Sequence, residues 1–264
     1  MSLSLSESLK RSLEKEDKIK EETVNNGLDT LIAVTSHNFS DSIAKVSITD
    51  RLTKEFYNSP CASLAKSLLG KTLCRKINDI DVLKCKIVET ESYLGTCDGA
   101  SHSFKGETKR NKAMFMEPGT AYVYKIYGMY RCFNISSEGT GAAVLIRPLE
   151  PLEGSEIMET NRSSKRKAGA KRLKLQDLCN GPSKLCQALQ IDMNINQIDL
   201  STSPHVWLEA GIDIKPSCIV NTTRIGIEGC GEQWSKLNLR WYVLGNNHVS
   251  VRNKIVEKAL EGNL

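Results

Sequence analysis

The stretch DVLKCKIVETESYLG occupies residues 81–95. Its first half is rich in apolar residues, and its second half spaces Glu89, Glu91 and Tyr93 two residues apart. Successive side chains of a β-strand point to opposite faces, so a strand here puts all three on one face. Two carboxylates beside an aromatic ring suit a metal site, acid–base chemistry, or a face turned to water. A metal would want further His or Asp donors. Only His102 is near in sequence, so no metal site is expected.

The flanking sequence supplies the rest of the fold. Ser59-Pro60 reads as a helix start, with Ser59 as cap and Pro60 at the first position. The helix continues through CASLAKSLLG, with Gly70 as its stop. KTLCRKI reads as a strand, and a turn around Asn78-Asp79 leads into the opening stretch. Glu117-Pro118-Gly119 marks another turn. TAYVYKIY follows as a strand, and GAAVLIRPLEP as a buried strand stopped by Pro148. Helices are expected at 151–160 and around 183–190, the second opened by NGPSKL, and short β segments at 218–228, 238–244 and 247–252. Strands outnumber helices and do not alternate regularly with them. That predicts a mixed α/β (α+β) fold, a single domain with a curved, largely antiparallel sheet and flanking helices. Residues 1–50 read as a disordered tail, 51–255 as the folded domain, and 256–264 as a C-terminal tail. Leu5, Leu9 and Leu13 in the first segment have the spacing of a weak amphipathic helix.

Of the 264 residues, 40% are hydrophobic and 25% charged, an ordinary balance for a globular domain with its own core. No apolar run approaches the roughly 18 residues of a membrane span, and no secretory leader is evident. Nine scattered cysteines, an odd number without a Cys-x-x-Cys pair, read as reduced core thiols. Residues 1–50 hold 6 Lys/Arg against 9 Asp/Glu, a balance of −3, and residues 51–264 carry +8. Seven basic residues and no acid occur in RSSKRKAGAKRLK, residues 162–174. That cluster suits a solvated loop, a phosphate-contacting surface or a nuclear import signal.

Four of the chain's seven tyrosines fall within nine residues of YVYKIYGMYRCFNISSEG, which starts at Tyr122. On a strand Tyr122, Tyr124 and Ile126 share a face, and Tyr127-Gly128 reads as a turn that pushes a ring outward. Strand propensity alone favours tyrosine. The sharper reading is a stacking platform for a flat ligand such as a nucleobase. HSFKGETKRN, residues 102–111, is a loop suited to an anion or polar ligand.

Six motifs then occur in order: IVETESYLG, HSFKGETKRN, MFMEPGTAYVYKIYGMYRCFNIS, AVLIRPLEPLEG, NGPSKLCQAL and RIGI. Together they resemble the alkyladenine (3-methyladenine) DNA glycosylase family, eukaryotic type, over residues 53–251. The resemblance implies a fold similar to the C-terminal domain of formyltransferases. It also implies a monofunctional enzyme that flips alkylated or deaminated purines out of duplex DNA and hydrolyses the N-glycosidic bond. The named lesions are 3-methyladenine, 7-methylguanine, hypoxanthine and ethenoadenine.

By the resemblance, Glu91 matches the catalytic, water-activating carboxylate and Glu89 a structural partner. Arg147 and the main-chain carbonyl of Ile225 match groups near the catalytic water. Tyr93, His102 and Tyr124 match the base pocket, with Asn134 excluding a 2-amino group and Leu145 near the floor. Tyr127 matches a residue wedged into the minor groove, supported by Met129. Arg110 and Lys184 match DNA-backbone contacts. No cofactor is implied, and the partners are damaged double-stranded DNA and downstream repair enzymes. A monomeric, nuclear protein without membrane attachment is expected. One departure is Lys109, where the family often has proline. Two other classes fit parts of the same sequence: a lesion-binding protein without excision, and an RNA-binding accessory domain.

Overall fold

The computed structural model describes residues 50–164 and 171–262, and these belong to one compact unit. Ten strands form two sheets, and every strand pair is antiparallel. The four-stranded sheet runs β7-β2-β1-β8, with β1 Thr72–Lys76, β2 Val82–Ile87, β7 Leu149–Glu153 and β8 Val206–Glu209. The six-stranded sheet runs β4-β5-β6-β3-β10-β9. Its members are β3 Glu89–Tyr93, β4 Ala121–Ile126, β5 Tyr130–Ser136, β6 Ala143–Ile146, β9 Ile219–Thr222 and β10 Arg240–Val243. The α+β class read from the sequence therefore holds, with the curvature resolved into two sheets.

The opening stretch makes the junction. It supplies β2 to one sheet and β3 to the other, with Val88 between them. The antiparallel partner strand divides the same way, β6 in the six-stranded sheet and β7 in the four-stranded one, on either side of Arg147-Pro148. The Val88 N–H reaches the Pro148 carbonyl at 3.5 Å. Two paired strands thus turn a common corner and pass between sheets. β6 ends at Ile146, before Pro148 as expected, and Pro148 also marks the corner at which the chain resumes as β7 in the other sheet. Residues 149–153 are accordingly strand, and the helix expected at 151–160 is Ser155–Ser163.

Both faces of β3 are covered. Thr90 and Ser92 are fully buried and point to the helix Cys61–Ser67, whose Ala65 and Cys61 carbonyls accept their hydroxyls at 2.8 and 3.1 Å. Leu64, Leu68, Leu69, Phe133, Ile135 and Ile146 are buried to at least 99%. Each such side chain contributes about 1.5–3 kcal/mol by leaving water. Glu89, Glu91 and Tyr93 take the opposite face, as the alternation requires.

Other differences are local. Pro60, rather than Ser59, occupies the N-cap position of the helix Cys61–Ser67, without a side-chain capping bond. β8 was not anticipated, and no strand forms at 247–252. The helix Lys254–Glu261 crosses the boundary expected at 255, and its buried Glu257 accepts from the Tyr242 hydroxyl at 3.0 Å. The helix near 183 starts as read, with Pro182 in its first turn. All nine cysteines are free thiols. The tail expected over 1–50, apart from Asp50, lies outside the described residues, as do residues 165–170 of the basic cluster.

Gly95 closes the opening stretch with φ +80°, and a Cβ there would stand 2.2 Å from the Thr140 carbonyl oxygen. Both the left-handed backbone and the contact oppose a side chain. Gly95→Ala should therefore lower unfolding stability by about 2 kcal/mol or more. Denaturant titration checks this, and an unchanged midpoint would show that the turn relaxes freely.

Candidate active site

Strand register brings the candidates together. Thr222, Arg240, Glu91, Leu145, Asn134 and Tyr122 stand opposite one another in turn across β9, β10, β3, β6, β5 and β4. Directly paired residues share a face with Cβ atoms about 5 Å apart. One face of the six-stranded sheet therefore carries the carboxylate at its centre and the pocket candidates toward the β4 edge.

Glu91 is fully buried. Its Oε1 accepts from the Ile225 N–H at 2.9 Å and lies 3.1 Å from the Arg147 guanidinium. Its Oε2 accepts from the Tyr93 hydroxyl at 3.0 Å. Glu89, also fully buried, accepts from Arg147 Nε at 2.9 Å, from Arg240 at 3.0 Å, and from the Ser250 N–H and hydroxyl at 2.8 and 2.9 Å. Two carboxylates thus meet two guanidiniums in a buried cluster of no net charge. Burial opposes the charge on Arg147, but the Glu91 and Glu89 carboxylates outweigh it and hold the guanidinium above its ordinary pKa. The Tyr93 phenol is held well above its usual value, chiefly by burial and then by the Glu91 charge. It therefore remains the donor in its bond to Glu91.

The second group is aromatic. The Tyr122 and Tyr124 rings stack at 5.2 Å, and His102 meets Tyr124 edge-on at 4.5 Å. His102 Nδ1 and the Tyr122 hydroxyl share a hydrogen bond at 2.9 Å. Burial pushes the Tyr122 phenol up to about 12. Burial against these rings, with Arg110 nearby, lowers the His102 pKa below the usual histidine value, so the ring is neutral at pH 7. Arg110 sits 5.4 Å over the Tyr124 ring. Asn134 donates to the Tyr122 carbonyl at 3.0 Å, it and Leu145 are 5% exposed, and by register the two lie between Glu91 and Tyr122 on the sheet face.

At the rim, the β4–β5 hairpin turns through Tyr127 and Gly128, with φ of +52° and +73°. The Met129 N–H closes the turn on the Ile126 carbonyl at 3.4 Å. A positive φ is strained for a bulky residue, and Tyr127 is nevertheless 85% exposed, beside Met129 and Tyr130. Lys184 stands on the helix Pro182–Ala188 and donates to the Asn180 side chain at 2.7 Å. Lys109 is exposed in its loop. Glu91 is held by Tyr93, Ile225 and Arg147, and Tyr127, Met129, Arg110 and Lys184 stand apart from these contacts.

The sequence reading missed several residues. Arg240 holds Glu89 and also donates to the Thr223 and Val251 carbonyls at 2.8 and 2.9 Å. An arginine alternating with Tyr242 on a strand was the available signal. Buried Asn111 ties the 102–111 loop together, donating to the His102 and Gly106 carbonyls and accepting from the Thr108 N–H. Asp98 and Arg224 form a buried two-pronged ion pair. They lie 126 residues apart, and no local pattern links them.

A family model described as methylpurine-DNA glycosylase matches residues 55–247. The DNA-3-methyladenine glycosylases of Mus musculus and Homo sapiens are each 50% identical to this chain over 212 residues, 79% of its length. The chain spans 63% of the mouse protein and 70% of the human one. A putative 3-methyladenine DNA glycosylase of Clostridium perfringens (strain SM101 / Type A) is 45% identical over 204 residues, 76% of this chain and 98% of that protein.

Replacing Arg240 with methionine keeps its bulk but leaves Glu89 with one guanidinium instead of two. A buried carboxylate stripped of a partner destabilises by about 3–5 kcal/mol. Equilibrium unfolding of Arg240→Met should show that loss. A change under about 1 kcal/mol would mean that water or Ser250 replaces the arginine.

Proposed function

The chain belongs to the methylpurine-DNA glycosylase family, and from that premise we propose that it hydrolyses the N-glycosidic bond of damaged purines in duplex DNA. The observation that carries this reading is Glu91, a buried carboxylate gripped by the Ile225 N–H, Arg147 and the Tyr93 hydroxyl. Such a group is positioned to take a proton from water as it attacks the anomeric carbon. It also stabilises the positive charge that develops on the sugar. Water is the nucleophile, so the products are a free base and an abasic site. Arg147 and the Ile225 carbonyl flank that water.

The target base must leave the helix for its bond to be reached. Tyr93 and His102 sandwich it by stacking, with Tyr124 against its edge. The neutral His102 suits a pocket that must accept purines made cationic by alkylation, because it adds no like charge. The main-chain N–H of His102 donates to an acceptor at the purine 6-position, and Asn134 opposes a 2-amino group, with Leu145 beneath. The substrates are then 3-methyladenine, 7-methylguanine, hypoxanthine and ethenoadenine. Tyr127 fills the gap in the duplex with support from Met129, and Arg110 and Lys184 contact the DNA backbone. The protein acts as a monomer in the nucleus, and enzymes that process abasic sites act after it. Its nuclear place rests on the substrate and on the basic run at 162–174.

Two variants test the roles. Glu91→Gln keeps the shape of the side chain and removes the base. Single-turnover release from a hypoxanthine duplex should fall by at least about 100-fold, while the variant still binds that duplex. Normal turnover by the variant would refute the role of Glu91. A lesion duplex held tightly by wild type without any base release, on hypoxanthine and 7-methylguanine alike, would favour lesion binding alone. Tyr127→Ser removes the wedge, and affinity for damaged duplex should drop by about 10-fold, as the loss of one intercalated ring implies. Gel-shift titration measures it, and unchanged affinity and rate would remove Tyr127 from that role.

A further inference from the structure

Arg224 has no part in the chemistry described above, yet its guanidinium lies 4.8 Å from the centre of the Tyr93 ring. Its side chain is completely buried. Tyr93 itself retains some exposure. The arginine therefore lies against one face of the ring. The guanidinium is fixed in turn: two nitrogens grip the fully buried Asp98 carboxylate, one also donates to the Ser92 carbonyl at 2.9 Å, and the other to the Trp234 carbonyl at 3.3 Å. Asp98 is locked as well, accepting from the Leu94 and Ala100 N–H groups at 3.1 and 3.0 Å.

Position in the chain adds a second link. Arg224 precedes Ile225, whose N–H donates to Glu91, and Ser92 precedes Tyr93, whose hydroxyl donates to the same carboxylate. Through the chain, Arg224 is thus linked to two of the three groups that hold Glu91, and its guanidinium also lies against the Tyr93 ring. A planar fork suits this task, since it binds a carboxylate two-pronged and lies flat on an aromatic ring.

We propose that the Asp98–Arg224 pair is a positioning device for the active site. It sets the plane of Tyr93 so that the other face receives the flipped purine, and it holds the Ile225 N–H on Glu91. Asp98 neutralises the guanidinium, which would otherwise repel a cationic base across the ring. This inference rests on the glycosylase reading, and its test separates the two.

Arg224→Lys keeps the charge beside Asp98 but loses the fork and the flat contact. Asp98→Asn keeps the shape and weakens the grip, which serves if the lysine variant does not fold. Each is compared with wild type for thermal unfolding, single-turnover release from a hypoxanthine duplex, and affinity for hypoxanthine and abasic-site duplexes. The abasic duplex presents no base to stack. The expected result is a folded variant whose release rate falls about 10- to 100-fold, the loss typical of slight misplacement. Affinity for the hypoxanthine duplex should fall while affinity for the abasic duplex stays within about twofold of wild type. Unchanged release, or equal loss of affinity for both duplexes, overturns the positioning role. Absence of release by wild type defeats the glycosylase reading instead, independently of either variant.

Discussion

Arg147 lies between two carboxylates that share one strand face, bonding Glu89 through Nε and meeting Glu91 at 3.1 Å. Two buried carboxylates on a central strand are untenable without countercharge, since each would lose its hydration in a medium of low dielectric. Arg147, one residue beyond the end of β6, and Arg240, on β10, supply that charge from the two strands that flank β3. The need for countercharge thus agrees with the strand order: the strands beside β3 are those that bring a guanidinium. Any drift in register would strand a charge, so the same cluster that equips the site also fixes its geometry.

Around that cluster the carboxylates have separate tasks. Glu89 is saturated by Arg147, Arg240 and Ser250, and serves as an anchor. Glu91 is held by Arg147, by the Tyr93 hydroxyl and by the Ile225 N–H. Rigidity is borrowed from the anchor. Across the sheet face, the stacked tyrosines and His102 form a second rigid body, with Asn111 holding the His102 loop by its carbonyl. Between them on the same sheet face lie Leu145 and Asn134.

Much of this was legible because strand periodicity is strict. A two-residue repeat puts Glu89, Glu91 and Tyr93 on one face without any knowledge of neighbours, and it does the same for Tyr122 and Tyr124. The Tyr127-Gly128 turn was legible from glycine at a hairpin tip. Other parts were not. A helix was expected at 151–160 because nothing local shows that the strand resumes after Pro148. Asp98, Arg224 and Ser250 were silent because their partners lie far along the chain: 126 and 161 residues for the Asp98–Arg224 and Glu89–Ser250 bonds.

The sequence by itself determined the α+β class, the face on which the two glutamates and Tyr93 stand, and the family through motifs in a fixed order. These follow from local rules, namely alternation, turn chemistry and motif spacing. The tertiary structure alone decided that the opening stretch bends at Val88 into two sheets, that two arginines neutralise the buried carboxylates, and that a third lies against the Tyr93 ring. Those outcomes depend on which strands become neighbours, and that is settled by burial and charge pairing over long separations rather than by any property of a short segment.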